Sequence, residues 1–215
     1  MRLYHYLMDL LFPPRCVLCR GLLEKNETDL CRACRIEVPV YPSGKRSAQF
    51  LDSFAAVWYY EGSVRESLLR FKFRGARSYA PAYGRMLAMK IQKEHPEGFD
   101  VLTWIPVSPL RKLRRGYDQV ELIAGAVGKE LGMIPVRTLK KVRHNRPQSR
   151  ISDAAARRAN VLGAYRETNR EAVAGKRVLL LDDILTTGAT ASEAARVLKT
   201  AGAREVHGAA VAARK

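Results

Sequence analysis

A chain of 215 residues with 47% hydrophobic and 27% charged residues is long enough for one sizeable core plus a small appendage, and its composition is ordinary for a globular protein. The formal net charge of +17 is not ordinary; it points to an anionic partner such as nucleic acid, a phosphate-rich ligand or an acidic membrane surface, with a solvated basic surface as the alternative. No apolar run reaches the roughly 20 residues needed to span a bilayer, which excludes a transmembrane helix.

The chain begins "MRLYHYLMDLLFPP", which reads as a short amphipathic helix stopped by Pro13 and Pro14. It lacks a small-residue cleavage site, so no signal peptide is read and a cytoplasmic location with reduced thiols is expected. All four cysteines follow at once, as "CVLC" (Cys16, Cys19) and "CRAC" (Cys31, Cys34), with eleven residues between the pairs. Two thiolates at this spacing sit on one tight turn, and two such turns complete the tetrahedral sulfur site that zinc prefers. Disulfides are the alternative, and a reducing compartment argues against them. Four sulfur ligands leave no open position for catalysis, so the Zn²⁺ is expected to be structural and to supply much of the folding free energy of a segment too small for its own core. Arg15, Arg20, Arg32 and Arg35 flank the ligands, either as phosphate contacts or as solvated charges.

Residues 38–50, with two prolines and a glycine, read as a linker, which divides the chain into a helix, zinc finger and linker over 1–45 and a main domain over 46–215. "FAAVWYYEG" reads as a strand closed by Gly62, and "SVRESLLRFKFRG" as a helix with Ser63 as N-cap and Glu66 completing a capping box. Residues 79–94 are helical, "DVLTWIPV" is a strand, and "SPLRKLRRGYDQ" is a basic loop. "VELIAGAVGKEL" is a helix ending near Gly132. "RVLLLDD" is a strand buried on both faces, "ATASEAARVLKTAG" a helix and "EVHGAAVAA" a last strand. Strands alternating with helices imply an α/β fold with a mainly parallel sheet.

Asp182 and Asp183 stand at the end of that buried strand, ahead of a loop that opens a helix, where open α/β sheets bind ligands. The loop offers the hydroxyls of Thr186, Thr187 and Thr190, a tight turn at Gly188 and the positive end of a helix, which together suit a phosphate monoester. The acids suit a neighbour that donates hydrogen bonds or carries a divalent cation, such as sugar hydroxyls or Mg²⁺. A strand that merely ends in polar residues before a capped helix is the bland alternative.

"VLLLDDILTTGAT" resembles the phosphoribosyl pyrophosphate (PRPP) motif of type I phosphoribosyltransferases. That resemblance implies ribose contacts from Asp182 and Asp183, 5′-phosphate contacts from Thr186, Thr187, Gly188, Ala189 and Thr190, and Mg²⁺ bound with PRPP. The two cysteine pairs, "YEG" at 60–62, "FKFRG" at 71–75, "PVSPLRKLRRGYDQ" at 106–119 and "RRANVLGAY" at 157–165 resemble the ComF family of late competence proteins, which join a zinc finger to a phosphoribosyltransferase-like domain. The resemblance covers nearly the whole chain and implies a role in DNA uptake and natural transformation.

Between residues 111 and 160 there are thirteen Lys or Arg against four acids. Arg111, Lys112, Arg114 and Arg115 are candidates to neutralise a pyrophosphate, because the Arg fork matches phosphate oxygens bidentately. "KKVRHNRPQSRI" resembles the mobile loop that closes over PRPP, with Arg143 and Gln148 as its candidates. It departs from the family pattern at Asn145, Arg150 and Ile151, and Arg143, Arg146 and Arg150 equally suit a polynucleotide backbone. His144 is not assigned as a general base, since positioning and charge stabilisation dominate this chemistry. His5, His95 and His207 fit no catalytic constellation. Trp58, Tyr59 and Tyr60 are expected to pack in the core, and Tyr117 is a candidate for ligand contact. The functional expectation is a PRPP-binding protein that also contacts single-stranded DNA and competence-machinery proteins. Its alternatives are a non-catalytic DNA-binding adaptor, a PRPP-sensing regulator, and a true phosphoribosyltransferase of an unidentified acceptor.

Overall fold

A computed structural model describes residues 13–42, 46–143 and 159–214. The expected N-terminal helix and most of the loop candidate, including His144, Arg146, Gln148 and Arg150, lie outside the described residues.

The elements follow in chain order: α1 (Arg32–Glu37), β1 (Arg46–Ala48), β2 (Leu51–Tyr59), α2 (Gly62–Phe73), a 3₁₀ turn (Arg77–Tyr79), α3 (Ala80–Glu94), β3 (Val101–Trp104), α4 (Pro109–Arg115), α5 (Gln119–Leu131), β4 (Leu139–Lys141), β5 (Tyr165–Glu167), β6 (Arg177–Leu185), α6 (Ala189–Thr200) and β7 (Glu205–Ala213). Five strands form one sheet in the order β1-β2-β7-β6-β3, parallel except for β1. This is the expected α/β architecture. Two interior strands, β6 and β7, carry unbroken apolar runs, Val178–Leu181 and Gly208–Ala213, because both of their faces are covered there. A separate antiparallel pair, β4 with β5, was not signalled by the sequence: three residues per strand give no usable alternation.

One buried cluster lies under α2, α3 and α5 and includes Leu68, Phe71, Tyr83, Leu87 and Ile123; a second lies under α6 and includes Leu180, Ala194, Leu198 and Val206. Gly84 lets α3 approach α5 closely, since a Cβ there would overlap Ala126. The first cluster also contains Cys16, Val17, Leu18, Leu30, Cys34 and Val38, so the cysteine segment shares its core with α2 and α3.

Four local expectations change. β2 starts at Leu51, and Gly62 opens α2 instead of closing the strand. Glu61, held in an extended conformation, is the N-cap; Ser63 lies within the first turn, no side-chain cap forms, and Glu66 pairs with Arg65 at 2.9 Å. Residues 38–42 are packed, not free-running: Val38 and Tyr41 are buried and Val40 bridges to Trp58. The basic segment after β3 is a short helix, α4, because Pro109 in its first turn is preset for helical φ.

Candidate functional site

β6 keeps its β7 neighbour to Leu185, but β3 stops at Trp104, opposite Leu181. From Asp182 onward one side of β6 is therefore open, and a cleft of about 840 Å³ begins there. Asp182, Asp183, Thr186, Gly188 and Thr190 all line it. Gly188 has φ 72°, a conformation costing other residues roughly 1–2 kcal/mol, and from it α6 starts, with Ser192 N–H closing on the Gly188 carbonyl at 2.7 Å. The first N–H groups of such a helix have no intrahelical acceptor and face an incoming anion. Thr187 is exposed and outside the lining, and Ala189 is buried.

Alternation along the strand gives the adjacent acids different surroundings. Asp183 is buried on the α2 and α5 side. Its Oδ1 lies 2.8 Å from Lys72 Nζ, and its Oδ2 accepts a 2.8 Å hydrogen bond from Gln119 Nε2. Gln119 Oε1 accepts in turn from Arg115 Nη1 at 2.8 Å. Asp182 is half-buried, accepts the Asp183 N–H at 2.8 Å, and feels the charges of Lys72 and Lys141. Loss of water around it, with the neighbouring Asp183 charge second, pushes its carboxyl well above the ordinary range.

The cleft wall is basic: Arg65, Lys72, Arg111, Arg114, Arg115, Lys141 and Arg214 stand against the two acids. Lys112 is turned away and pairs with Glu121 at 2.8 Å, half-exposed. Asp118 sets the geometry of this wall. Its Oδ1 caps α5 through the N–H groups of Val120 and Glu121, and its Oδ2 accepts from Val107 N–H at 3.1 Å, which fixes the turn leaving β3. Burial holds Arg115 below its usual pKa and Lys141 down at about 8, the latter with Arg111 adding repulsion. Tyr117 lines the cleft, with its hydroxyl donating to the Phe71 carbonyl. Tyr60 packs against the first core cluster as expected and also lines the cleft. Arg143, exposed, donates to the Leu162 carbonyl at 3.4 Å.

Lys72, Gln119, Lys141 and Tyr165 were missed from the sequence. All four lie in strings quoted as family-like, "FKFRG", "PVSPLRKLRRGYDQ", "KKVRHNRPQSRI" and "RRANVLGAY", but nothing within those strings singles these residues out as site residues.

In the N-terminal segment the Sγ atoms of Cys16, Cys19, Cys31 and Cys34 lie within 4.8 Å of one another, and those of Cys19 and Cys31 are 3.6 Å apart. A tetrahedral site with metal–sulfur bonds of about 2.3 Å has sulfur edges just under 4 Å, so this cluster fits zinc. The Gly21 N–H donates to Cys19 Sγ at 3.3 Å, as it would to a ligating thiolate.

Residues 7–46 match the model of the double zinc ribbon domain, and residues 121–215 that of the phosphoribosyl transferase domain. The chain is similar to the competence protein ComFC of Bacillus subtilis (strain 168), with 26% identity covering 87% of this chain and 78% of the relative. It is also similar to competence protein F of Haemophilus influenzae, with 25% identity over 89% and 93% of the two chains. A third relative is the DNA utilization protein YhgH of Salmonella typhimurium, with 26% identity over 90% and 94%. Among the described residues, no helix is long and apolar enough to cross a membrane.

Proposed function

The chain belongs to the ComF family, a phosphoribosyltransferase fold carrying a zinc ribbon, and we propose that it binds PRPP with Mg²⁺ in the cleft at the end of β6. Residues 1–45 form the ribbon module in this reading and 46–215 the PRPP-binding domain. The observation that carries it is the sequence of environments along one continuous segment: two carboxylates of unequal surroundings, then the left-handed turn at Gly188, then the start of α6, all on one basic cleft. Asp182 and Asp183 are assigned to the ribose hydroxyls, Thr186 to Thr190 to the 5′-phosphate, and Arg111, Arg114 and Arg115 to the pyrophosphate. Among the described residues the cleft is lined by no other carboxylate, so Asp182 and Asp183 are also the protein groups suited to the Mg²⁺ that accompanies PRPP. Calorimetric titration with Mg–PRPP tests this: the wild-type protein is expected to bind, and Asp182→Asn/Asp183→Asn to lose most of that affinity. Equal binding by both proteins would refute the assignment.

A polynucleotide is the second ligand. Phe73, which lines the cleft, is 64% exposed with the Arg115 guanidinium 4.8 Å above its ring, and Arg65, Arg111 and Arg114 line the same cleft. Basic charge interleaved with an exposed aromatic ring suits a single strand. The exposed Arg15, Arg20, Arg32 and Arg35 on the ribbon extend the same charge. The relatives are named for competence and for DNA utilization, which supports a role in DNA uptake for a protein with these two ligands. Binding to single strands is expected to weaken steeply with salt, and a flat salt response would count against it. Release of pyrophosphate on adding an acceptor would make the protein a transferase; PRPP binding without turnover would make it a sensor or adaptor.

A further inference from the structure

α2 touches both candidate sites. On one side, Ser67 Oγ donates to the Val17 carbonyl, and Arg70 Nη2 donates to the Leu18 carbonyl at 2.5 Å and the Val17 carbonyl at 3.3 Å. Val17 and Leu18 are the two residues between Cys16 and Cys19, and both are buried. The tip of the first cysteine turn is therefore hydrogen-bonded by α2 and not by its own segment alone. Arg85 of α3 clamps the other edge, pairing with Asp29 at 2.5 Å, while the Asp29 carbonyl accepts the Val17 N–H at 2.9 Å. Two residues beyond Arg70, Lys72 meets Asp183; between them, Phe71 is fully buried and its carbonyl takes the Tyr117 hydroxyl.

This last turn of α2 has little freedom. Arg70 Nε is buried with no partner among the described residues, so the guanidinium depends on the Val17 and Leu18 carbonyls for its polar contacts. Those carbonyls lie inside the ring that a metal on Cys16 and Cys19 would close. Without that closure the turn is free to open, taking both carbonyls from the half-buried Arg70 guanidinium, whose buried Nε already has no partner among the described residues, and leaving Ser67 Oγ only the Tyr83 hydroxyl at 2.6 Å, a cost that favours readjustment of the helix end. Lys72 would then leave its place on Asp183.

We propose that the zinc ribbon and the PRPP carboxylates are energetically coupled through α2: metal on the four cysteines strengthens Mg–PRPP binding, and Mg–PRPP strengthens metal retention. The proposal rests on the PRPP reading of the β6 site. It makes Lys72 a positioning residue for Asp183, and makes occupancy of the sugar-phosphate site responsive to the state of the ribbon thiols.

The test uses the full zinc-loaded chain, with PRPP binding first verified on the same sample by calorimetry. Zinc affinity is then measured by competition with a chromogenic chelator, in excess Mg²⁺, with and without saturating PRPP. Coupling predicts zinc held about 5- to 100-fold more tightly with PRPP, and by reciprocity a PRPP affinity lower by the same factor in the metal-free chain. Arg70→Met, and the milder Ser67→Ala should Arg70→Met fail to fold, are expected to shrink that factor while leaving the cysteines intact. PRPP binding with an unchanged zinc affinity would overturn the coupling and leave the PRPP reading standing. No PRPP binding to the zinc-loaded protein would overturn both. Coupling that persists undiminished in both variants would overturn α2 as its path.

Discussion

Lys72 Nζ and Asp183 Oδ1 form a 2.8 Å ion pair between the last turn of α2 and the open end of β6, with side chains only 17% and 7% exposed. Gln119 takes the other Asp183 oxygen and reaches Arg115. Asp183 is thus held on both oxygens, whereas Asp182 has one hydrogen-bond partner among the described residues, the Asp183 N–H. The two acids are constrained differently in consequence: Asp183 is anchored to the cleft wall, and Asp182 is the less restrained of the pair.

Replacing Lys72 by Met leaves a buried carboxylate without its cation, and should destabilise the fold by about 3 kcal/mol. Urea denaturation of wild-type and Lys72→Met protein measures this. Mg–PRPP affinity should fall as well, because Asp183 loses its orientation.

Asp182 makes the opposite trade. Its folded pKa is raised, so the folded state prefers the protonated form, and stability is lost as pH rises from the ordinary carboxylate range toward about 8. Asp182→Asn should therefore raise Tm at pH 8 relative to wild type and flatten that decline, while weakening PRPP binding. Ribose hydroxyls or Mg²⁺ favour the carboxylate, so binding near pH 7 should release protons. Calorimetry in buffers of different ionisation enthalpy reads that release directly.

Gly188 stands at φ 72° where α6 begins, and Gly188→Ala should cost roughly 1 kcal/mol in stability. Phosphate affinity should fall more than stability, since the turn aims the N–H groups. A Gly188→Ala protein that binds PRPP as tightly as wild type would remove this turn from the site.

A second buried polar cluster lies at the opposite ends of the strands. Ser53 Oγ is 3.1 Å from His95 Nε2 and 2.8 Å from His207 Nδ1, and the His207 Nε2 meets Glu205 at 2.9 Å. Arg177, Asp52 and Phe99 also face it, and Glu97 pairs with both His95 and Arg177. Burial, with the Glu205 hydrogen bond opposing it and the charges of His95 and Arg177 adding to it, lowers the pKa of His207. The folded state prefers the neutral ring, so this contribution is complete above about pH 6.5 and is lost as pH falls below it. Thermal melts from pH 7.5 to 5 should show the loss, and His207→Gln should reduce it.

The legible parts of the molecule were contiguous in sequence. Asp182 through Thr190 combine a buried strand, a turn and a helix start in one string, and the cysteine pairs carry their own spacing. Lys72, Gln119 and Lys141 reach the cleft from α2, α5 and β4, and their meeting with the two acids is set by sheet order, which no local pattern encodes. The basic segment after β3 misled for a related reason: arginine density signals solvent exposure, and an exposed seven-residue helix such as α4 has no apolar stripe by which to recognise it. Ser63 and Glu66 matched a capping box in spacing, but the helix had already begun at Gly62.

Hydrogen exchange with and without Mg–PRPP tests the central claim most directly, because it locates the ligand as well as detecting it. Binding as described predicts protection concentrated in residues 182–191, with further protection over α4 and the last turn of α2. Protection confined to other regions, or no change at saturating Mg–PRPP, would contradict a PRPP site at the end of β6.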